Sequence, residues 1–227
     1  MKKNLARKLQ TVEPFEAVRR IFVFAKYMND VQINNLFRTA EKIADHLVYA
    51  WNYCATLRRL QYFSKQCPEV FDANGHFIST IFYAMWDSLF LELSHCTDKR
   101  REAIGFPKFF KQLRSYLAEG HQFRKYINKH ERLINELEPQ KKISNWRNQV
   151  VGHYAIIDNV DIFYKANICS IDEIETLISD YNGILHVYSI PLLKHRFKVN
   201  DLGKLANRGI DKLIRGMKKE TAQEKMQ

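Results

Sequence analysis

Glycine and proline are scarce, 8 and 5 among 227 residues. A β-sandwich or barrel turns back about every ten residues and draws heavily on both, so those folds are excluded and long helices are expected. Cysteine is scarcer still. Cys54, Cys67, Cys96 and Cys169 are widely spaced and make no C-x-x-C pair, and no His/Cys cluster has the spacing of a structural zinc site. They are expected to be reduced, core-filling thiols of a cytoplasmic chain, with no metal and no cofactor. There is no Walker loop, Rossmann glycine fingerprint, G-x-S-x-G elbow or zincin helix, which sets those reaction classes aside. Long apolar runs are also missing. The most membrane-like stretch, Phe77 to Leu93, carries Asp87, Glu92, Ser79, Thr80 and Ser88, so it is expected to be a buried bundle helix and not a membrane span. The basic N-terminal residues are followed by no apolar region, so no signal peptide is expected.

Acid is in deficit: 36 Lys and Arg stand against 25 Asp and Glu, a formal charge of +11. Such an excess favours a polyanionic partner, whether RNA, DNA or an anionic membrane surface. What is abundant is apolar and aromatic surface, 46% and 13% of the residues, enough for a sizeable core.

The periodicity predicts an all-α, antiparallel helical bundle with extra N- and C-terminal helices. Pro14 opens a helix marked by Phe15, Val18, Ile21, Phe22 and Ala25. From Val31 apolar residues recur every three to four positions through Leu57, predicting a helix of about thirty residues. The turn residues Asp72 to Gly75 end that region, and the helix from His76 to Cys96, apolar nearly all round, is placed at the bundle centre. Gly105 and Pro107 precede a short helix with Phe109, Phe110, Leu113 and Leu117, and a further helix carries Phe123, Ile127, Leu133, Ile134 and Leu137. Pro139 starts the element bearing Trp146. Residues 156–168 are read as a long ordered connection, and Ser170 with Glu173 as a capping box opening a helix to Leu193. The bundle domain is set at residues 12–193. Residues 194–227 form a basic tail with ten Lys or Arg against four Asp or Glu, expected to be a helix that frays after Met217.

One segment is chemically loaded: Trp146-Arg-Asn-Gln-Val-Val-Gly-His-Tyr154. Arg147 offers a planar fork of donors for phosphate oxygens. His153 can exchange a proton near neutral pH, and Asn148 can orient a hydroxyl, a phosphate or the imidazole. Together they form a minimal set for cleaving RNA without a metal. Six positions separate Arg147 from His153, about 120° off a shared helical face. Either Gly152 distorts the helix, or the site is completed across a two-fold axis. Tyr154, Lys99, Arg100, Arg101, Lys141 and Lys142 are candidate RNA contacts. Asp98 is read as capping its own helix end in preference to bonding the motif.

The run Arg147-Asn148-x-x-x-x-His153 resembles the signature of the HEPN superfamily, an Arg and a His separated by a few residues with a polar residue after the Arg. The long helix from Val31, then Phe82 to Lys99 and the helix from Phe106, resembles the abortive-infection U-type branch. Ser94-His95-Cys96-Thr97-Asp98 has His where that branch usually has Arg. The resemblance implies a helical bundle, a homodimer with two motifs near its interface, and a metal-independent endoribonuclease with Arg147 and His153 catalytic and Asn148 assisting. It further implies phage defence or a toxin–antitoxin system, with an antitoxin or regulatory protein as possible partner. The alternatives are a non-catalytic helical module that binds RNA or protein, and a structural dimerisation protein.

Overall fold

Asn29 starts the first helix among the described residues. Its side chain accepts from the Gln32 backbone N–H at 2.9 Å, and the Gln32 side chain accepts from the Asn29 N–H at 3.1 Å. Two orphan donors are satisfied reciprocally. The helix α1 (Asp30–Gln66) runs for 37 residues, about 55 Å at 1.5 Å each. The computed structural model describes residues 28–117, 123–148, 166–199 and 203–224. The helix expected from Pro14, most of the expected connection at 156–168, and His153 and Tyr154 lie outside them.

Among the described residues seven further helices follow: α2 (Pro68–Ala73), α3 (Gly75–Thr97), α4 (Phe106–Ser115), α5 (Phe123–Glu136), α6 (Glu138–Trp146), α7 (Ile171–Leu193) and α8 (Gly203–Glu224). No strand occurs among the described residues, and the fold is the all-α helical bundle the periodicity predicts. No helix among the described residues is long and apolar enough to cross a membrane.

The centre of the bundle is α1, not the helix from His76 to Cys96. Leu36, Ala40, Ile43, Leu47, Ala50, Cys54 and Leu57 follow one another at alternating intervals of four and three, and all are inaccessible. Helix α1 packs against α3, α7, α4 and α8. α3 is more apolar overall, yet Phe77 and Tyr83 on its first half stay exposed. Mean apolarity misled here; an uninterrupted narrow stripe decides which helix is enclosed.

α3 and α7 each run antiparallel to α1. Leu60 packs with Ile78 near one end of the α1–α3 pair, while His46 meets Glu92 further along. α7 opens on the expected capping box of Ser170 with Glu173 and is clamped to α1 by Arg58, which donates to Glu175 at 2.6 Å. Phe106, Phe109 and Phe110 of α4 meet Tyr181 and Tyr188 of α7 edge-on in the main core, and Phe106 stacks on Phe110.

A second apolar cluster holds α8. Ile210, Ile214 and Met217 pack with Leu60, Cys67, Val70 and Ile78, and Arg59 donates to Asp211 at 2.7 Å. The helix does not fray after Met217: it continues to Glu224, with Thr221 buried. Positions 210, 214, 217 and 221 keep one helical stripe against the bundle, so the docked face outlasts the apolar residues that marked it.

Candidate functional site

Arg147 follows the last residue of α6, and the contacts made by that helix fix where it stands. The indole N–H of the preceding Trp146 donates to Asp87 at 3.2 Å, and its ring meets Phe90 edge-on at 5.3 Å. The wholly buried Tyr181 donates to Gln140 at 2.6 Å. Gln140 donates to Thr97 at 2.6 Å and to Ser144 at 3.0 Å. This polar chain joins α7, α6 and the end of α3 through a region that would otherwise be apolar, and such satisfied networks hold a unique arrangement.

The chain leaves α3 at Asp98. Its carboxylate accepts from Arg147 Nη2 at 3.0 Å, from Arg100 Nη2 and Nε at 2.6 and 2.9 Å, and from the Arg100 backbone N–H at 3.0 Å. The expected capping role is therefore corrected: the carboxylate bonds the motif. A helix C-terminus presents carbonyl oxygens and a negative dipole end, and a carboxylate can satisfy neither. Burial pushes the Asp98 carboxyl up, but the Arg100 bonds and the Arg147 charge outweigh it and hold it below the usual carboxylate range. Gly105 keeps this corner tight. A Cβ there would lie 2.5 Å from the His95 carbonyl oxygen and 2.6 Å from that of Cys96, so only glycine lets the returning chain approach the end of α3.

Arg147 and Asn148 open onto a polar cleft of about 610 Å³. Ser94, Thr97, Asn135, Gln140, Ser144 and Asn145 line it with hydroxyls and amides, beside Asp98 and the cations Lys99, Arg100 and Lys141. Arg147 is partly buried and Asn148 exposed. Lys141 is also paired with Glu138 at 2.7 Å. Lys142 and Arg101 are not among the lining residues; Lys142 donates to the Ile168 carbonyl at 3.0 Å. Hydroxyls, amides and cations in one cleft suit a ligand of phosphate and ribose.

A second convergence lies nearby. The ligand atoms of His46 on α1 and of Glu92 and His95 on α3 are all within 4.8 Å of one another. His46 Nδ1 stands 2.6 Å from a Glu92 carboxylate oxygen, and the His46 and His95 rings are 4.9 Å apart. No run of closely spaced ligands along the chain marks this cluster in the sequence. The available signal was Glu92-Leu-Ser-His95, the i, i+3 pairing that faces ligands into helical bundles.

Against known proteins, a family model described as HEPN_AbiU2: AbiU2 matches residues 33–213. No curated protein and no solved structure matches the chain.

Proposed function

This chain belongs to the AbiU2 family of HEPN proteins, and from that membership we propose that it is an endoribonuclease of abortive-infection type, cutting RNA without a metal ion in phage defence or a toxin–antitoxin pair. The observation that carries the reading is Arg147 beside Asn148 at the mouth of a polar cleft, its guanidinium oriented by Asp98. In the reaction the ribose 2′-oxygen attacks the adjacent phosphorus and the bond to the 5′-oxygen breaks, leaving a 2′,3′-cyclic phosphate and a 5′-hydroxyl. His153 takes the 2′-proton or protonates the departing 5′-oxygen. Arg147 offsets the charge that grows on the phosphoryl oxygens, and Asn148 orients the nearby ribose or imidazole.

The proposal extends to a homodimer in which two motifs lie close together, with an antitoxin or regulatory protein as a further partner. Lys99, Arg100 and Lys141 would receive flanking phosphates, and the formal charge of +11 favours the encounter. The test is incubation of the purified chain with single-stranded RNA in excess chelator. Cleavage with a 2′,3′-cyclic end is expected, and activity that appears only on adding a divalent ion would remove this mechanism.

A further inference from the structure

We propose that His46, Glu92 and His95 form a binding site for one divalent transition-metal ion of the zinc class. The site rests on placement, independent of the Arg147 reading. Glu92 and His95 are one turn apart on α3 and so face the same way, and His46 meets them from the antiparallel α1. The His46 and Glu92 side chains are only 24% and 21% exposed, so the ligands would exchange few waters on closing round an ion. The cluster nonetheless opens to solvent through a cleft of about 530 Å³ lined by Lys42, His46, His95, Asp98, Arg100 and Glu102, which is an access route for an ion.

The donor set chooses the metal. Two imidazole nitrogens and one carboxylate oxygen are borderline donors that suit zinc, cobalt or nickel, whereas magnesium and calcium take oxygen. His95 Nδ1 is buried and makes no hydrogen bond among the described residues, so no protein group competes for that nitrogen. The cations at the rim are already engaged, Lys42 with Asp45 at 3.1 Å and Arg100 with Asp98.

Bonds of 2.0–2.1 Å in a tetrahedron put ligand atoms about 3.3 Å apart. The 2.6 Å His46–Glu92 contact must widen and the longer separations, up to 4.8 Å, must close, which rotation of long side chains on fixed helices provides. Three protein ligands leave a fourth position for water on the cleft side. Asp98 and Arg100 line both this cleft and the Arg147 cleft, so the two sites are back to back. The ion takes no part in the proposed cleavage; it ties α1 to α3 behind the site.

The test titrates the full-length chain with zinc or cobalt ion alone, in the absence of RNA, so its failure would leave the nuclease reading standing. Expected are one ion per chain and a rise in Tm with ion concentration. The cobalt complex should have a nitrogen–oxygen tetrahedral spectrum without thiolate charge transfer. His46→Ala, Glu92→Gln and His95→Ala should each weaken binding tenfold or more, on the order of the loss seen when even supporting partners of a metal site are removed. In the unaltered protein the ring resonances of His46 and His95 should move with zinc while those of the buried His130 do not. This last measurement decides the matter even if a variant fails to fold. No stoichiometric ion, a thiolate band, or unmoved His46 and His95 signals would overturn the site.

Discussion

Arg147 and Asp98 are 49 residues apart in the chain and 3.0 Å apart in the fold, the guanidinium of α6's end donating to the carboxylate that closes α3. Asp98 is almost fully enclosed while Arg147 keeps a partial opening to the cleft. One partner is thus a fixed acceptor and the other a restrained, partly buried guanidinium at the cleft. Such a pair restrains a long side chain before its ligand arrives, which lowers the ordering cost of binding.

Asp98→Asn separates positioning from charge. The amide keeps the volume but loses the charge-assisted bonds to Arg147 and Arg100. RNA cleavage should fall about ten- to a hundredfold, the scale of a misplaced catalytic group. RNA affinity should hold or rise, because the cleft loses its carboxylate. Measuring kcat and KM separately checks this; a KM increase with unchanged kcat would assign Asp98 no positioning role.

The fold was largely legible because α1, α4, α6 and α7 announce themselves locally. The spacing from Leu36 to Leu57, Pro107 and Pro139 near helix starts, and Ser170 with Glu173 are all short-range signals. What was not legible depends on distance in space. Neither the Asp98–Arg147 bond nor the Gln140 bridge between Tyr181 and Thr97 leaves a periodic trace. Asp98 at a helix end invited a local explanation, and only the returning α6 supplied the guanidinium. The same limit hid His46 from Glu92 and His95. The path of α8 beyond Met217 was missed for a different reason: Thr221 is polar, yet its hydroxyl donates to the Met217 carbonyl at 3.0 Å, which lets it be buried.

α8 carries charge on one face and binds the bundle with the other, and substitutions should divide accordingly. Ile214, 1% exposed among Leu60 and Val70, should cost about 2–5 kcal/mol as Ile214→Ala. Lys218→Gln with Lys219→Gln should leave stability within about 0.5 kcal/mol and flatten the salt dependence of RNA binding, since fewer counterions are released. Denaturant midpoints and binding at several salt concentrations check both halves.

Stability should depend on pH through His130. Burial lowers its pKa from 6.5 to about 4, and it lies against Tyr188, whose hydroxyl stands 2.7 Å from its Nδ1. The folded state therefore binds the proton more weakly than the unfolded chain. The contribution is complete above about pH 6.5 and is lost as pH falls toward 4, by roughly 3 kcal/mol. Asp180 works in the opposite sense: burial raises its carboxyl to about 6, so its contribution is complete below 3.8 and lost as pH rises toward 6. The two nearly cancel in the unaltered protein, so the difference from His130→Gln is the quantity to measure. The deficit of that variant should shrink as pH falls from 6.5 to 4; a constant deficit would mean His130 does not titrate in this range.

The proposed nuclease site is tested by its two principal residues together. His153→Ala should remove proton transfer and Arg147→Ala phosphate stabilisation, each lowering the cleavage rate on the order of a hundredfold or more. RNA affinity should change less than cleavage, and more for Arg147→Ala, because its guanidinium also meets the ground-state phosphate. The double variant should be little worse than either single one, since residues of one site act as a unit. Mixing the two single variants then reports how the site is built. If each site draws Arg147 from one chain and His153 from the other, a heterodimer of Arg147→Ala and His153→Ala subunits contains one intact pair. Activity should then return to a fraction of the original. If the pair is completed within a chain, every site in the mixture lacks one residue and no activity returns. The six-residue separation, about 120° off a shared helical face, is compatible with a distortion at Gly152 or with a shared site, and the mixture separates the two. Unchanged cleavage in both single variants would end the assignment of nuclease chemistry to this motif.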